Sequence, residues 1–255
     1  MKILVLGASG SEVPRHNTPA FLIDGKILMD AGTVGHTLNI RDEHGIKNIL
    51  LTHAHFDHIK GIPFLLDNLV LRHTGNQITI MSGKDVLDDL RKNIFNDRIW
   101  PDFTKIPDPE HPALVYKTLH TSKPVDVEGY TVIMEKVNHP VPAYGFIVEN
   151  PGKKALAYTG DTGPTDRFWE KMAEHDVKGL IVETSFPNHM EKMALTTGHL
   201  TPSLLLKEIA KMRTPLPRIF VMHVKPQYLT DIEIEIDGLG MDNIEFLTEG
   251  EIIQI

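Results

Sequence analysis

Leu51-Thr52-His53-Ala54-His55-Phe56-Asp57-His58-Ile59-Lys60-Gly61 places three histidines and one aspartate within six positions, directly behind the apolar run Ile49-Leu50-Leu51. A strand that runs into such a cluster delivers its side chains at the carboxyl edge of a sheet, where α/β proteins place their sites. His53 and His55, two apart in an extended segment, point the same way. Asp57 and His58 fall on the following turn and can face a second point about 3.5–4 Å away, the separation usual in two-metal sites. Helix is expected to resume only afterwards. Pro63 is tolerated near a first turn and not in a helix interior, so the next helix is expected from Ile62. Imidazole and carboxylate without thiolate suit zinc, manganese or iron. The alternative is a polar loop with chance histidines, and metal binding is the usual use of so dense a cluster.

Upstream of this stretch, Lys2 to Leu6 reads as a short buried strand that leaves through Gly7-Ala8-Ser9-Gly10-Ser11. That loop lacks the Lys-Ser/Thr of a phosphate cradle and has no helical pattern behind it, so it reads as a plain turn. Ala20 to Ile23 and Ile27 to Asp30 flank Asp24-Gly25, a strong hairpin signal. Thr37 to His44 reads as a helix closed by Gly45, and Asn48 to Leu51 as the strand feeding the cluster. Downstream, Ile62 to Leu71 looks like a buried helix and Ile78 to Met81 a strand. Ser82 is a candidate N-cap for a helix from Gly83 to Asn96 with the apolar stripe Val86, Leu87, Leu90, Ile94 and Phe95. The proline-rich segment from Ile99 to Pro112 is the clearest long loop, and loops of this length in compact domains are often functional. Trp100 is therefore a candidate substrate contact. Aromatics that pin the loop to the core are the commoner use.

The second half opens with strands over Ala113 to Leu119, Tyr130 to Val137, Ala143 to Val148 and Lys154 to Tyr158. His139 and Asp161 each stand just past a strand end. Phe168 to His175 reads as helix, Lys178 to Val182 as strand, Ser203 to Met212 as helix, and Arg218 to Met222 as a strand that delivers His223. Ile244 to Leu247 and Ile252 to Ile255 look like a closing hairpin around Glu249-Gly250. Alternating strands and helices of this length indicate an α/β protein. The 255 residues suffice for one sizeable core, and residues 1–255 are taken as a single domain.

Composition narrows the function classes. A net charge of -8, from 34 acidic against 26 basic residues, argues against a broad basic surface that grips a polyanion such as nucleic acid. The absence of cysteine excludes disulfides and thiolate-held zinc. Met1 to Leu6 is apolar, but the glycine-rich loop ends the run far short of a signal or spanning segment. The expectation is a soluble cytoplasmic protein with no membrane association. Whether it forms a homodimer is left open.

His53-Ala54-His55-Phe56-Asp57-His58 resembles the His-x-His-x-Asp-His signature of the metallo-β-lactamase fold superfamily. The resemblance implies a four-layer αββα sandwich with a two-metal site between its sheets. Carried over position by position, His53, His55 and His139 would hold one divalent ion. Asp57, His58 and His223 would hold the other, and Asp161 would bridge. Asp30, in Asp30-Ala31-Gly32, would stand near the site as a supporting residue. Two divalent cations outweigh the carboxylates of Asp57 and Asp161, so the site would be electropositive in an acidic molecule, which suits a small phosphodiester.

Glu183-Thr184-Ser185-Phe186-Pro187-Asn188 and Gly198-His199-Leu200-Thr201-Pro202 resemble class II cyclic-nucleotide phosphodiesterases, as does Phe95-Asn96-Asp97-Arg98-Ile99-Trp100-Pro101. That resemblance implies hydrolysis of a 3′,5′-cyclic nucleotide, with cyclic AMP the expected substrate, to the 5′-monophosphate. A related pattern, Glu-x-Thr followed by a His ahead of a helix, occurs in the tRNA 3′-processing endonucleases. By that resemblance His199 would protonate the leaving oxygen and Glu183 would orient it, with Asp57 counted among the catalytic residues as well as the ligands. The rival readings are a tRNA 3′ endonuclease, disfavoured because no basic, glycine-rich arm is found, and a metal-loaded ligand-binding or sensor protein of the same fold.

Overall fold

The computed structural model describes residues 1–71, 75–212 and 214–255. The first half contributes β1 (Lys2–Gly7), β2 (Ala20–Ile23), β3 (Ile27–Met29), α1 (Ile40–Glu43), β4 (Asn48–Leu50), α2 (Phe56–Ile59), α3 (Ile62–Leu71), β5 (Ile78–Ser82), α4 (Lys84–Asn93) and β6 (Leu114–Thr118). The second contributes β7 (Val125–Val127), β8 (Tyr130–Lys136), β9 (Tyr144–Glu149), β10 (Lys154–Tyr158), α5 (Arg167–Met172), β11 (Asp176–Glu183), α6 (Glu191–Thr197), α7 (Pro202–Ile209), β12 (Ile219–Met222), α8 (Leu229–Asp237), β13 (Ile244–Phe246) and β14 (Ile252–Gln254). Among the described residues the strands form two seven-stranded sheets, ordered β14-β1-β2-β3-β4-β5-β6 and β13-β12-β11-β10-β9-β8-β7. None of the described helices is long and apolar enough to cross a membrane.

Side-chain alternation along the second sheet shows how the layers stack. Val132, Met134, Phe146, Val148, Leu156, Tyr158, Ile181, Phe220 and Met222 pack into the same core as the first sheet. Their neighbours Ile133, Ile147, Ala155, Ala157, Leu180, Val182, Ile219 and Val221 pack with Phe168, Leu204, Leu205, Ile232 and Ile236 of the second-half helices. A strand presents successive residues to opposite faces, so each strand of this sheet serves two apolar layers and reads as nearly continuous hydrophobic sequence. With α3 and α4 packed on the first sheet, the result is the expected αββα sandwich.

Four local expectations differ from the structure. The helix expected from Thr37 begins only at Ile40, because the Asn39 side chain accepts the N–H groups of Arg41 and Asp42 and so caps there. Ser82 does not cap α4. It ends β5 and donates its hydroxyl to Leu51 O, 2.7 Å away, while Gly83 takes the cap position without a side-chain bond. Helix also resumes earlier than Ile62, since α2 makes one turn inside the stretch from His53 to Gly61 itself. The closing hairpin does not form. β13 joins β12 in parallel and β14 joins β1 antiparallel, so the two segments lie in different sheets. Each finds an open sheet edge, whose unpaired N–H and C=O groups offer more pairing than a partner across a short turn.

Candidate metal centre

Every ligand-type side chain singled out in the sequence leaves a strand at the same edge of the sandwich. The chain beyond β4 stays extended through His55, which caps α2, and that single turn sets Asp57 and His58. His139 follows β8, Asp161 follows β10, and His223 follows β12 with a positive φ of 60°. The structure brings these residues into two groups that share Asp161. His53, His55, His139 and Asp161 form one, and Asp57, His58, Asp161 and His223 the other; within each, the ligand atoms lie within 4.8 Å of one another.

Four of the imidazoles are fixed from behind at Nδ1. Thr52 donates its hydroxyl to Asp30, so its oxygen accepts from His53 Nδ1 at 3.0 Å. His58 Nδ1 donates to Asp30 Oδ2 at 2.7 Å, and Asp30 also accepts from the Tyr158 hydroxyl at 2.5 Å. His139 Nδ1 donates to Gly198 O at 2.9 Å. Ser185 donates to Glu183 Oε2, so its oxygen accepts from His223 Nδ1 at 2.8 Å. A hydroxyl has one proton to give, and a carbonyl or carboxylate none. Each bond therefore puts the ring proton on Nδ1 and leaves the Nε2 lone pair facing the centre.

The orphaned atoms test whether this donor set fits cations. His53 Nε2, His58 Nε2 and Asp161 Oδ1 are buried and make no hydrogen bond. His58 Nε2 does lie 3.3 Å from Asp161 Oδ1. The His53 ring lies 4.2 Å from that of His58 and 4.9 Å from that of His139. Converging lone pairs with no donor between them are costly in a protein interior, and divalent cations relieve that cost. The donor set fits.

Electrostatics agree with that demand for positive charge. Burial pushes the Asp161 carboxyl up, but the imidazoles of His223 and His58 overcome it and hold the group well below the usual carboxylate range. Burial, helped by neighbouring His58, drives His53 well below the ordinary imidazole value and keeps it neutral. Burial also pulls His58 down, yet Asp161 and Asp30 raise it well above that value.

Beside the second group stands a pair with a different character. His199 Nδ1 donates to Glu183 Oε1 at 2.7 Å, and the ring stacks on His223 with centroids 5.3 Å apart. Glu183 is fully buried and also accepts from Thr162 N, Ser185 Oγ and Leu200 N. With its oxygens so engaged, Glu183 orients His199 and has no clear face left for an ion, although Glu183, His199 and His223 also converge. Burial lowers the His199 pKa, but the Glu183 carboxylate outweighs it and leaves the group raised.

Trp100 belongs to neither ligand group. Its ring meets Phe64 edge-on at 5.4 Å, and the residue is half-buried against the first-half core, with Phe103 buried in the same core. This contact pins the loop, the commoner use of such aromatics. The apolar neighbours on α3 and below the loop offer the indole more burial than an open site does. Sequence reasoning missed Thr52, Tyr158 and the Gly7–Gly10 loop as supports. His223 N donates to Ala8 O at 2.5 Å, Gly10 N donates to Val224 O at 3.0 Å, and Gly10 packs against the His223 backbone. The glycines of that loop were the available signal, since close backbone approach is one of the uses of glycine.

Comparison with known proteins places these features in a wider group. The β-lactamase superfamily domain matches residues 26–224. A probable 3′,5′-cyclic-nucleotide phosphodiesterase of Yersinia pestis is 27% identical over 89% of this chain and 79% of its own length. A ribonuclease Z of Methanococcus maripaludis is 26% identical over 98% of this chain and 94% of its own. The crystal structure of unliganded yeast PDE1 superposes on 100% of this chain and 99% of that one with a TM-score of 0.85, at 21% identity, a likeness of fold.

Proposed function

The chain belongs to the metallo-β-lactamase superfamily, and from that premise we propose that it is a dinuclear-metal phosphodiesterase that opens a 3′,5′-cyclic nucleotide to the 5′-monophosphate. The observation that carries this reading is the His199–Glu183 pair beside the second ligand group. It supplies a proton donor that the ligand set does not consume. The similarity to a probable cyclic-nucleotide phosphodiesterase adds to it.

His53, His55 and His139 would hold one divalent ion, Asp57, His58 and His223 the other, and Asp161 would touch both. When bound, such ions lower the pKa of a shared water toward about 7 and offset charge on the phosphate. The Asp57 side chain is part exposed and lies 3.2 Å from His223 Nε2, so it borders the open side of the centre and orients the attacking water. Water gives up one proton to solvent and attacks phosphorus as the bond to the 3′ oxygen breaks. His199 gives its Nε2 proton to that oxygen, and Glu183 stabilises the imidazole through Nδ1.

The similarity to ribonuclease Z over nearly the whole chain favours a second reading, cleavage of a 3′-extended tRNA. One assay separates the two: metal-replete protein against cyclic nucleotides, linear aryl diesters and pre-tRNA, with metal content measured on the same sample. Turnover of cyclic nucleotides and not of pre-tRNA is expected. Cleavage of pre-tRNA with no action on cyclic nucleotides reverses the assignment, and binding of cyclic nucleotide without turnover replaces it with a sensor.

A further inference from the structure

One groove, about 780 Å³ between α5 and the end of α7, shares no residue with either ligand group. A smaller one, about 250 Å³, opens beside the first. It is lined by His55, itself a ligand-group residue, with Phe56, Asp89, Asn93, Ile94 and Pro142. We propose that this groove seats the base of the nucleotide and selects guanine, a proposal that rests on the phosphodiesterase reading above.

Phe56 is 67% exposed and its ring meets no other aromatic ring among the described residues. A large apolar ring held out beside an ion-binding centre is a stacking platform, and every base has a face to offer it. Asp89 and Asn93 stand one turn apart on α4 and line the same groove. Neither side chain makes a hydrogen bond or ion pair among the described residues. Other carboxylates of α4 are engaged: Asp85 accepts from the Tyr144 hydroxyl, and Asp88 pairs with Lys84 and Arg91. Asp89 is thus a carboxylate aimed at a groove with its acceptors free.

Donor and acceptor chemistry chooses among the bases. A carboxylate accepts only, and it binds best where two parallel N–H groups meet its two oxygens. Guanine carries two adjacent donors, N1–H and the N2 amino group, on its pairing edge. Its O6 lies beside them and suits the Asn93 amide N–H. Adenine presents one amino group flanked by the acceptor N1, which a carboxylate oxygen repels. The groove therefore departs from the cyclic AMP expectation of the sequence.

The test is kcat/KM of the manganese-loaded full chain for cyclic GMP and cyclic AMP, in the wild type, Asp89→Asn and Asn93→Asp. Metal content is read on each sample, and bis-p-nitrophenyl phosphate serves as a diester without a base. The wild type is expected to favour cyclic GMP, and Asp89→Asn to lower the cyclic GMP to cyclic AMP ratio by roughly 10–100-fold, the worth of hydrogen bonds to a charged group. Asn93→Asp turns a donor into an acceptor facing O6 and should lower the same ratio; it decides the matter if Asp89→Asn fails to hold metal. A wild type that prefers cyclic AMP, or a ratio unmoved in the variants, overturns the guanine subsite alone. Hydrolysis of the aryl diester with neither cyclic nucleotide turned over overturns the phosphodiesterase reading and the subsite with it.

Discussion

Asp161 and His199 are the two residues whose roles can be told apart most cleanly by substitution. Asp161 is buried, belongs to both ligand groups, and is held ionised by the imidazoles around it. Asp161→Ala should therefore lose metal and activity together, as read by elemental analysis and turnover on one sample. Full double occupancy in that variant would remove Asp161 from the bridging role. His199 belongs to neither of the two groups that share Asp161 and is bound to Glu183. His199→Ala should keep both ions and slow cyclic-nucleotide hydrolysis by about 10²–10⁴-fold, the usual worth of general acid catalysis. The loss should shrink on bis-p-nitrophenyl phosphate, whose nitrophenolate departs without needing a proton. Equal losses on the two substrates would make His199 a positioning residue, and loss of metal would make it a ligand. The spacing His53-x-His55-x-Asp57-His58 was legible in the sequence because the ligands are local. The hydroxyl of Ser185 between Glu183 and His223 was not, because Ser185 and His223 stand 38 positions apart.

Elements matter here through what their ends hold. The loop after β1 reads as an ordinary turn, yet it carries the backbone bonds that fix the end of β12 and the positive φ of His223. A Cβ on Gly10 would collide with the His223 carbonyl, which is backbone and cannot swing aside. Gly10→Ala should cost about 1–3 kcal/mol of stability, as overpacking does, and should weaken binding at the Asp57–His58–His223 group more than at the other. Chemical denaturation with metal titration checks both; unchanged occupancy of both ions would return the loop to a plain turn. Helix α8 shows where pattern reading fails at this scale. Within it Asp231-Ile232-Glu233-Ile234-Glu235-Ile236-Asp237 alternates polar and apolar residues, the period of a strand. As a helix it buries Ile232 and Ile236, one turn apart, and leaves Ile234 66% exposed. Two buried anchors on the second-half core outweigh a third on the solvent side.

For the whole molecule, the seven candidate ligands come from both sheets. His53, His55, Asp57 and His58 follow β4 of the first, while His139, Asp161 and His223 follow β8, β10 and β12 of the second. Bound cations would tie the two layers together, and a ligand that binds only the folded state stabilises it by mass action. Free metal at about 100 times its Kd adds about 2.7 kcal/mol per site on that account. Chelation should lower the thermal midpoint measured by calorimetry, and excess metal should restore it. A midpoint indifferent to chelator would mean that the sandwich supports its own edge and the centre gives nothing to stability.

The sequence by itself determined the α/β alternation, the strand ends that carry His139, Asp161 and His223, and the cluster from His53 to His58. All of these follow from the period of apolar residues and from polar side chains placed directly after a run of them. Only the tertiary structure decided which sheet β13 and β14 join, since an edge strand accepts any extended segment that reaches it. It alone fixed the ring protons of His53 and His223, because Thr52 can accept only after giving its own proton to Asp30, and Ser185 only after giving its own to Glu183. It also turned Trp100 onto Phe64 and brought Asp89, Asn93 and Phe56 to one groove. Those choices depend on which surfaces meet once the sheets have packed, and contacts between distant segments leave no period in the chain.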